Sequence, residues 1–163
     1  MTVIEARLES LGLVLPGPTI APHGAEFLFD WVRVRGHHVY VSGHSPHHAD
    51  GTFAGPFGKV PSEVSFTAAT DAARATLLAV LASVKREIGD LDRITAWLSV
   101  SGMVNADSGY PRTTNTLNGF SQLLLELFGP EVGAHARTAV GFAALPLNNA
   151  VVVAAELEID GPA

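Results

Sequence analysis

The segment GAHARTAVGFAALPLNNAVVVAAELEI, residues 133–159, decides the predicted fold. Two runs within it, 137–143 and 150–159, have the apolar and β-branched content of strands. The link between these two runs contains a proline and two asparagines, which are typical of turns. Arg137 is the one Lys/Arg residue of the segment, and no charged residue follows it until Glu156. This lone cation at the head of an apolar strand raises the question of which acid accompanies it.

The last of these strands is apolar on both faces. Because alternate residues of a strand point to opposite sides, one face carries Val151, Val153 and Ala155, and the other carries Val152 and Ala154. Helices of one layer cover only one face of a sheet, and no further element remains in the sequence to cover the second. We therefore predict that copies of the chain associate through the uncovered face.

The N-terminal part is predicted to contain one helix and one hairpin. Apolar residues at helical spacing predict a short amphipathic helix over 3–11. Residues 27–34 and 39–42 are predicted as two strands of a β-hairpin. The loop 43–60 that follows is rich in Gly, Pro and His, and could include a short strand near 52–54.

Two long helices are predicted on either side of a strong strand. The first begins after Ser62 or Ser65, either of which can cap a helix, and ends at Gly89. Strict alternation predicts a strand over 93–104, and the second helix ends at the Phe-Gly-Pro sequence 128–130. With both helices on one side of one mixed sheet, the chain is predicted to be a single α+β domain.

Composition excludes several classes of protein. The 163 residues contain no cysteine, carry a formal net charge of -6 and include no Lys/Arg-rich segment. Disulfides and thiolate metal sites are therefore excluded, and a nucleic-acid partner is not expected without a basic face. No apolar run is long enough for a transmembrane helix, and the N-terminus lacks a signal-peptide pattern. We expect a cytoplasmic protein that has no membrane partner.

Five stretches of the chain form an ordered set that is fairly specific to one family. They are YVSGHSP (40–46), DGTFAGPFGKV (50–60), AATDAARATLLAVLASVKREIGDLDRI (68–94), TLNGFSQLLLELFG (116–129) and HARTAVGFAALPLNNAVVV (135–153). The set resembles the YjgF/Rid family, in its longer subgroup related to the endoribonuclease L-PSP proteins. The resemblance implies a chorismate-mutase-like α+β fold and a homotrimer, in which three sheets form a central barrel and ligands bind in clefts between subunits.

Two residues of the fourth predicted strand are carried over as ligand-binding residues. Arg137 matches the family's arginine, whose guanidinium forks onto the carboxylate of a small acid. The alternative is an arginine that pairs with an acid of a neighbouring subunit. Ala139 matches the position whose main-chain N–H holds the substrate, a role open to any residue except proline.

The acid that the resemblance implies is missing. Deaminating members of the family position their attacking water with a glutamate fifteen residues after the arginine, and here that position is Val152. Ala154 occupies the next position on the same face. Glu156 lies about 13 Å further along the strand than Val152, which is too far for a role that requires hydrogen-bond contact. We therefore predict no ordinary enamine or imine deaminase activity.

Four more residues are candidates for the same cleft by resemblance. Ser42 and Gly43 match the family's Ser-Gly-Gln turn, with His44 in place of the glutamine. Asn118 matches a pocket-facing asparagine of the second helix, although a surface amide is an equal alternative. Phe29 stands where shorter members have a tyrosine that contacts the ligand, which would make this site more apolar.

The histidines allow two further hypotheses. His135 shares the face of Arg137 on a strand, so it is a candidate pocket wall or acid–base group, and the alternative is packing at a subunit contact. The cluster HSPHHAD (44–50) holds three histidines and Asp50. Neutral imidazoles can bind metals, but this spacing matches no closed site. We expect a polar loop at the cleft mouth, and no metal or cofactor.

The sequence thus leaves three functions open. The leading hypothesis is a protein that binds a small carboxylate-bearing metabolite between subunits and lacks ordinary deaminase activity. The first alternative is a deaminase or hydrolase that acts on another small imine or amide, with His135, His44 or a bound water in place of the glutamate. The second alternative is an RNA-cleaving protein of the L-PSP type, against which the acidic composition argues.

Overall fold

The computed structural model of the chain describes residues 1–162. Within these residues, three α-helices and five β-strands follow in the order α1-β1-β2-α2-β3-α3-β4-β5. The helices are α1 (Val3–Ser10), α2 (Phe66–Ile88) and α3 (Thr113–Val132), and the strands are β1 (Val32–Arg35), β2 (His38–His44), β3 (Ile94–Asn105), β4 (Ala136–Phe142) and β5 (Val151–Ile159). Short 3-10 turns, Leu91–Arg93 and Pro146–Asn148, precede β3 and β5.

The five strands form one mixed sheet in the order β1-β2-β5-β3-β4. β4 runs parallel to β3, and the other neighbouring pairs are antiparallel. α3 is the crossover between the two parallel strands, and it packs with α2 on one face of the sheet. The predicted α+β class is therefore confirmed, and β4 is an edge strand.

The core lies between the two long helices and the sheet. Its fully buried members come from both helices and from one face of the central strands: Leu77, Val80, Leu81, Leu117, Phe120, Leu124, Val100, Val104, Val151, Val153 and Leu157. The helices touch at Gly119, where an added Cβ would lie 2.1 Å from the carbonyl oxygen of Thr70. Any side chain at this position would therefore force α3 away from α2.

Both ends of α2 follow the sequence signals. The hydroxyl of Ser65 accepts a hydrogen bond from the Ala68 N–H at 3.1 Å, so Ser65 rather than Ser62 caps the helix. Gly89 ends the helix with a φ of 83°, a conformation that glycine adopts readily. Within residues 1–162, no helix combines the length and apolar content needed to cross a membrane.

Several predicted boundaries are wrong. The strand predicted over 27–34 begins only at Val32, because the aromatic side chains at 27, 29 and 31 pack edge to face against one another with ring centroids 5.0–5.7 Å apart. The second long helix is interrupted at Gly129, with a φ of 76°, as the sequence at 128–130 predicted, but a further turn beyond the kink extends α3 to Val132. The loop near 52–54 forms a single bridge between His47 and Phe53 instead of a strand.

The sheet face opposite the helices is uncovered in the single chain. Tyr40, Val140 and Phe142 on this face are 45%, 46% and 42% exposed. Val140 and Val152 flank Met103 of β3 in the registers of the sheet, so an apolar patch crosses the three strands. Such a patch supports association between copies, and the homotrimer remains a prediction.

Candidate functional site

Arg137 lies on the edge strand β4 and faces α3. In the β3–β4 register, Val100 pairs with Arg137 and Gly102 pairs with Ala139. A Cβ added at Gly102 would lie 2.4 Å from the side chain of Leu117 in α3. Since paired residues share a face of the sheet, the side chains of Arg137 and Ala139 are on the helix side.

Three neutral oxygens of α3 hold the Arg137 guanidinium. Nη1 donates to Ser121 Oγ at 2.8 Å, and Nη2 donates to Asn118 Oδ1 and to the Thr114 carbonyl, each at 3.1 Å. Within residues 1–162, no carboxylate lies within ion-pair distance of this group. Partial burial lowers the pKa of Arg137 from its ordinary value, but arginine remains a cation near neutral pH. The site therefore carries a positive charge that no acid of the described chain offsets.

His135 is connected to Arg137 through one hydroxyl. His135 Nδ1 lies 2.7 Å from the Gly133 carbonyl oxygen, and Nε2 lies 2.8 Å from Ser121 Oγ. A carbonyl oxygen only accepts, so Nδ1 carries the proton of the neutral ring and Nε2 accepts from the Ser121 hydroxyl. The guanidinium can only donate, so the Ser121 hydroxyl accepts a hydrogen bond from Arg137. The same hydroxyl donates its hydrogen to His135 Nε2.

The main chain of β4 is open at Ala139. The Phe142 carbonyl accepts a hydrogen bond from the Ala106 N–H at 3.0 Å. Because the direction of the backbone polar groups alternates along a strand, those of Arg137 and Ala139 point away from β3, toward the sheet edge. The Ala139 carbonyl accepts from the Thr113 hydroxyl at 2.9 Å. The Ala139 N–H is thus directed to the sheet edge, where it could donate a hydrogen bond to a ligand.

The other predicted site residues lie elsewhere in the chain. Ser42 donates its hydroxyl to the Asp30 carbonyl at 2.7 Å. A Cβ added at Gly43 would lie 2.8 Å from Cγ1 of Val152, so the turn and Val152 are in contact. Phe29, half exposed, lies three residues before the start of β1 and packs edge to face on Trp31.

Arg137 and Val152 lie on opposite faces of the sheet. Gly102 pairs with Val153 on one side and with Ala139 on the other, which places these three residues on the helix face. Val152 pairs with Met103 and therefore points to the open face. A single chain does not bring the two groups of predicted site residues together, so a shared cleft requires a second copy.

The same arrangement of arginine, serine and histidine occurs a second time, between the end of β2 and α2. His44 Nδ1 lies 2.6 Å from the Ser42 carbonyl oxygen, and Nε2 lies 2.9 Å from Ser83 Oγ. Arg86 Nη2 donates to the same Ser83 oxygen at 3.0 Å. Burial lowers the pKa of His44 from 6.5 to about 4, since its side chain is 1% exposed. This neutral imidazole ties the end of β2 to α2.

The hydrogen bonds of His44 limit the ability of the three-histidine loop, residues 44–50, to bind a metal. His44 uses both ring nitrogens in hydrogen bonds, so it has no lone pair left for a metal. The ring of His47 packs against Phe53, with centroids 4.7 Å apart, and burial lowers the pKa of His47. Residues 1–162 contain no group of three or more potential ligand side chains arranged to hold a metal ion.

Sequence reasoning missed Ser121 as a site residue. It lies one helical turn after Asn118, at the spacing that places both side chains on one face of α3. The stretch TLNGFSQ (116–122) carried this signal, but it became meaningful only with the parallel crossover that sets α3 beside β4. Thr114 contributes through its carbonyl, which no side-chain pattern could predict.

A separate groove of about 580 Å³ lies at the far end of the two parallel strands. Lys59, Asp107, Tyr110 and Phe142 line it. Lys59 Nζ donates to Asn105 Oδ1 at 2.9 Å. Arg137, at the opposite end of β4, is not part of this groove.

The chain belongs to the family whose model is described as "YjgF/chorismate mutase-like, putative endoribonuclease", which matches residues 5–159. The resemblance drawn from the five stretches is therefore confirmed. The fold is also confirmed as chorismate-mutase-like.

Three proteins similar to this chain span almost its whole length. Protein TCP17 of Trypanosoma cruzi is 35% identical over 158 residues, which cover 96% of this chain and 94% of that protein. The crystal structure of Atu1372, a protein of unknown function from Agrobacterium tumefaciens, is 34% identical, with a TM-score of 0.84 over 97% of this chain and 92% of that chain. A "putative endoribonuclease" of Shewanella oneidensis is 28% identical, with a TM-score of 0.85 over 97% of this chain and 100% of that chain.

Proposed function

We propose that the protein binds a small carboxylate-bearing molecule through Arg137 and lacks the ordinary enamine or imine deaminase activity of its family. One observation carries the binding proposal. A partly exposed guanidinium lies at the sheet edge, bound by Ser121 and Asn118, and no carboxylate of residues 1–162 neutralises it. A ligand carboxylate would supply the missing counter-charge, and charge-assisted hydrogen bonds of this kind are among the strongest in proteins.

The donors left free suit a carboxylate at the edge of β4. Two of the three guanidinium nitrogens are engaged with α3, while Nε makes no hydrogen bond to residues 1–162. The edge-facing N–H of Ala139 lies on the same strand, two residues away. A ligand would therefore accept one hydrogen bond from Nε. Bidentate binding would require Nη2 to break its hydrogen bond to the Asn118 amide oxygen.

A second copy would complete the cleft. Ser42, Gly43 and Val152 form a small surface around the β2–β5 bulge, and in one chain this surface points away from Arg137. An assembly that seats the β4 edge of one copy on this surface of the next would supply an apolar wall to the ligand. Phe29, at the same end, would extend the wall.

The absence of ordinary deaminase activity follows from the chemistry of that wall. Val152 is 8% exposed and packs against Gly43 and beside Met103. Hydrocarbon cannot accept a proton from an attacking water molecule. Glu156, the nearest acid along β5, pairs with Tyr40 and Ser99, about 13 Å along the strand from Val152.

The endoribonuclease named in the family description is the weaker candidate for this chain. The net charge is -6, whereas RNA binding gains most of its affinity from basic side chains that replace counterions on phosphates. A titration of labelled single-stranded RNA at low salt tests this directly. Salt-sensitive binding at micromolar concentration would favour the RNA-cleaving candidate over the metabolite-binding one.

Calorimetry with pyruvate, 2-oxobutyrate and succinate tests the binding proposal. Wild-type protein should bind at least one of these acids, and Arg137→Ala should weaken its affinity by about 10- to 100-fold, because a charge-assisted bond contributes roughly 1.5–3 kcal/mol. Arg35→Ala is the matched control, since Arg35 is an exposed arginine on the opposite edge strand. Equal affinities for wild type and Arg137→Ala would overturn the proposal.

A further inference from the structure

We propose that Ser121 and His135 form a nucleophile–base pair beside the carboxylate clamp, and that the site hydrolyses esters of small molecules that carry a free carboxylate. This inference rests on the proposed function, because Arg137 would hold the substrate. It adds a reaction and a nucleophile, Ser121, and it assigns His135, a candidate acid–base group, the role of general base.

The hydrogen-bond directions around Ser121 are those that activate a hydroxyl. Its oxygen lies 2.8 Å from His135 Nε2, the ring nitrogen that is unprotonated in the neutral imidazole. The other ring nitrogen is held by the Gly133 carbonyl at 2.7 Å, which fixes the tautomer. A hydroxyl within hydrogen-bond reach of a base that a third group orients is the general signature of an activated nucleophile.

Arg137 adds an electrostatic contribution. Its Nη1 donates to Ser121 Oγ at 2.8 Å, so a cation contacts the oxygen on which negative charge would develop. A fixed cation at such a position stabilises an alkoxide and the anionic intermediate that follows. Ser121, His135 and Arg137 are all partly exposed in the chain, so a small ligand can reach them from the edge of β4.

The reaction would proceed through an acyl-serine intermediate. Ser121 Oγ forms a bond to the ester carbonyl carbon while its proton moves to His135 Nε2. The bond between that carbon and the alkoxy oxygen then breaks, and the departing alcohol takes the proton from His135. Water hydrolyses the acyl-serine in the same way, which returns the proton to Ser121 and releases the acid, so no other co-reactant is needed.

The short distance between the Arg137 guanidinium and the Ser121 hydroxyl limits the length of the substrate. A carboxylate oxygen on Nε would lie about 3 Å from that nitrogen, and Ser121 Oγ contacts Nη1 of the same planar group. The ester carbon and the carboxylate must therefore be separated by roughly one or two methylene groups. Half-esters of short dicarboxylic acids, such as monoethyl succinate, have this geometry, whereas diethyl succinate lacks the charge.

The hydrogen-bonded trio Arg86–Ser83–His44, whose serine and histidine are buried, provides an internal control. It has the same donor order as Arg137–Ser121–His135, but Ser83 is 5% exposed and His44 is 1% exposed. If hydrogen bonding alone were sufficient, both serines would react with a small electrophile. If access is also required, only Ser121 reacts.

Covalent labelling tests the nucleophile without relying on a variant. Treatment of the full-length protein with diisopropyl fluorophosphate should add one phosphoryl group per chain, and peptide mass mapping should locate it on Ser121 and not on Ser83. Succinate should slow the labelling, and Ser121→Ala should abolish it. Absence of an adduct on Ser121, or equal labelling of the exposed Ser10, would overturn the proposal.

Turnover provides the second test. Monoethyl succinate should be hydrolysed faster than diethyl succinate, and His135→Gln should reduce kcat by about 100-fold or more while KM changes little, because a lost general base affects the chemical step. If succinate binds in an Arg137-dependent manner but neither labelling nor hydrolysis occurs, this inference fails and the binding function stands. If no carboxylate binds at all, the proposed function itself fails.

Discussion

Arg137 and Val152 are fifteen residues apart in sequence and lie on opposite faces of one sheet. The guanidinium is turned toward α3, where Ser121, Asn118 and a main-chain carbonyl bind it. The valine is turned toward the open face, where it contacts the Gly43 position. Arg137 and Val152 can therefore contact one ligand only if they come from different copies of the chain.

Replacing Val152 with glutamate should introduce imine hydrolysis. The new carboxylate would stand where deaminating members of the family are expected to hold theirs, and it could orient a water molecule. Pyruvate formation from 2-aminoacrylate, generated by a serine dehydratase, measures the gain. Val152→Gln is the matched control because it has the same size without the acid. Rapid turnover by the wild type would contradict our account of Val152.

Self-association should depend on the open face of the sheet. Val140 is 46% exposed on the edge strand beside Met103, so Val140→Asp places a charge in the apolar patch that would lie between copies. Sedimentation equilibrium should show a smaller species, with the helical circular dichroism unchanged. Val14→Asp, at a site that is 72% exposed outside the sheet, should keep the wild-type mass. An unchanged mass for Val140→Asp would exclude this face as the interface.

Stability should fall with pH between about 6.5 and about 4 because of His44. The pKa of this buried ring is lowered from 6.5 to about 4 in the folded chain, so in that window the unfolded chain binds the proton more readily. The free energy of unfolding should decrease by up to about 3 kcal/mol as the pH falls through the window. His47, whose pKa is also lowered by burial, acts in the same direction.

Urea unfolding at several pH values measures this effect. The slope of unfolding free energy against pH should be smaller in His44→Gln, which cannot take up a proton. Asp50 and Asp107 also have lowered pKa values, from an ordinary value of 3.8, but their contributions are lost mainly below that window. A slope in His44→Gln as steep as in the wild type would exclude His44 as the cause.

The contact between the long helices should not tolerate a side chain at Gly119. An alanine Cβ there would lie 2.1 Å from the Thr70 carbonyl oxygen, so α3 must shift and repack. We expect Gly119→Ala to lower the free energy of unfolding by about 1–3 kcal/mol in spite of the higher helix propensity of alanine. Thermal and chemical unfolding measure the loss. Gln122→Ala, at an exposed position of the same helix, should change stability by less than about 0.5 kcal/mol.

Much of the fold could be predicted because local signals agree with the tertiary arrangement. The cap at Ser65 and the stop at Gly89 bound α2, and alternation identified β3 to within one residue at each end. The strand predicted over 27–34 was started too early, because aromatic residues have high β propensity. In the structure, the aromatic side chains pack on one another and not on a neighbouring strand; these residues are Phe27, Phe29 and Trp31.

The candidate site was predictable only in part. Arg137 and His135 could be placed on one strand face from their spacing, and the register of β4 agrees for Arg137. Their link through Ser121 depends on how α3 crosses to β4, a tertiary relationship that leaves no pattern in the sequence. The sequence also could not predict that Arg137 and Val152 lie on opposite faces of the sheet. The face on which a side chain lies depends on the register between neighbouring strands.

The Gly43–Val152 contact has a consequence for how readily the chain could change its chemistry. Glycine at 43 leaves free the space that residue 152 occupies, since even a methyl group there would lie 2.8 Å from the valine. Valine and glutamate codons can differ by a single base, so one base change can place a carboxylate in that space. Such a change would give the chain the carboxylate that deaminating members of the family are expected to hold at this position.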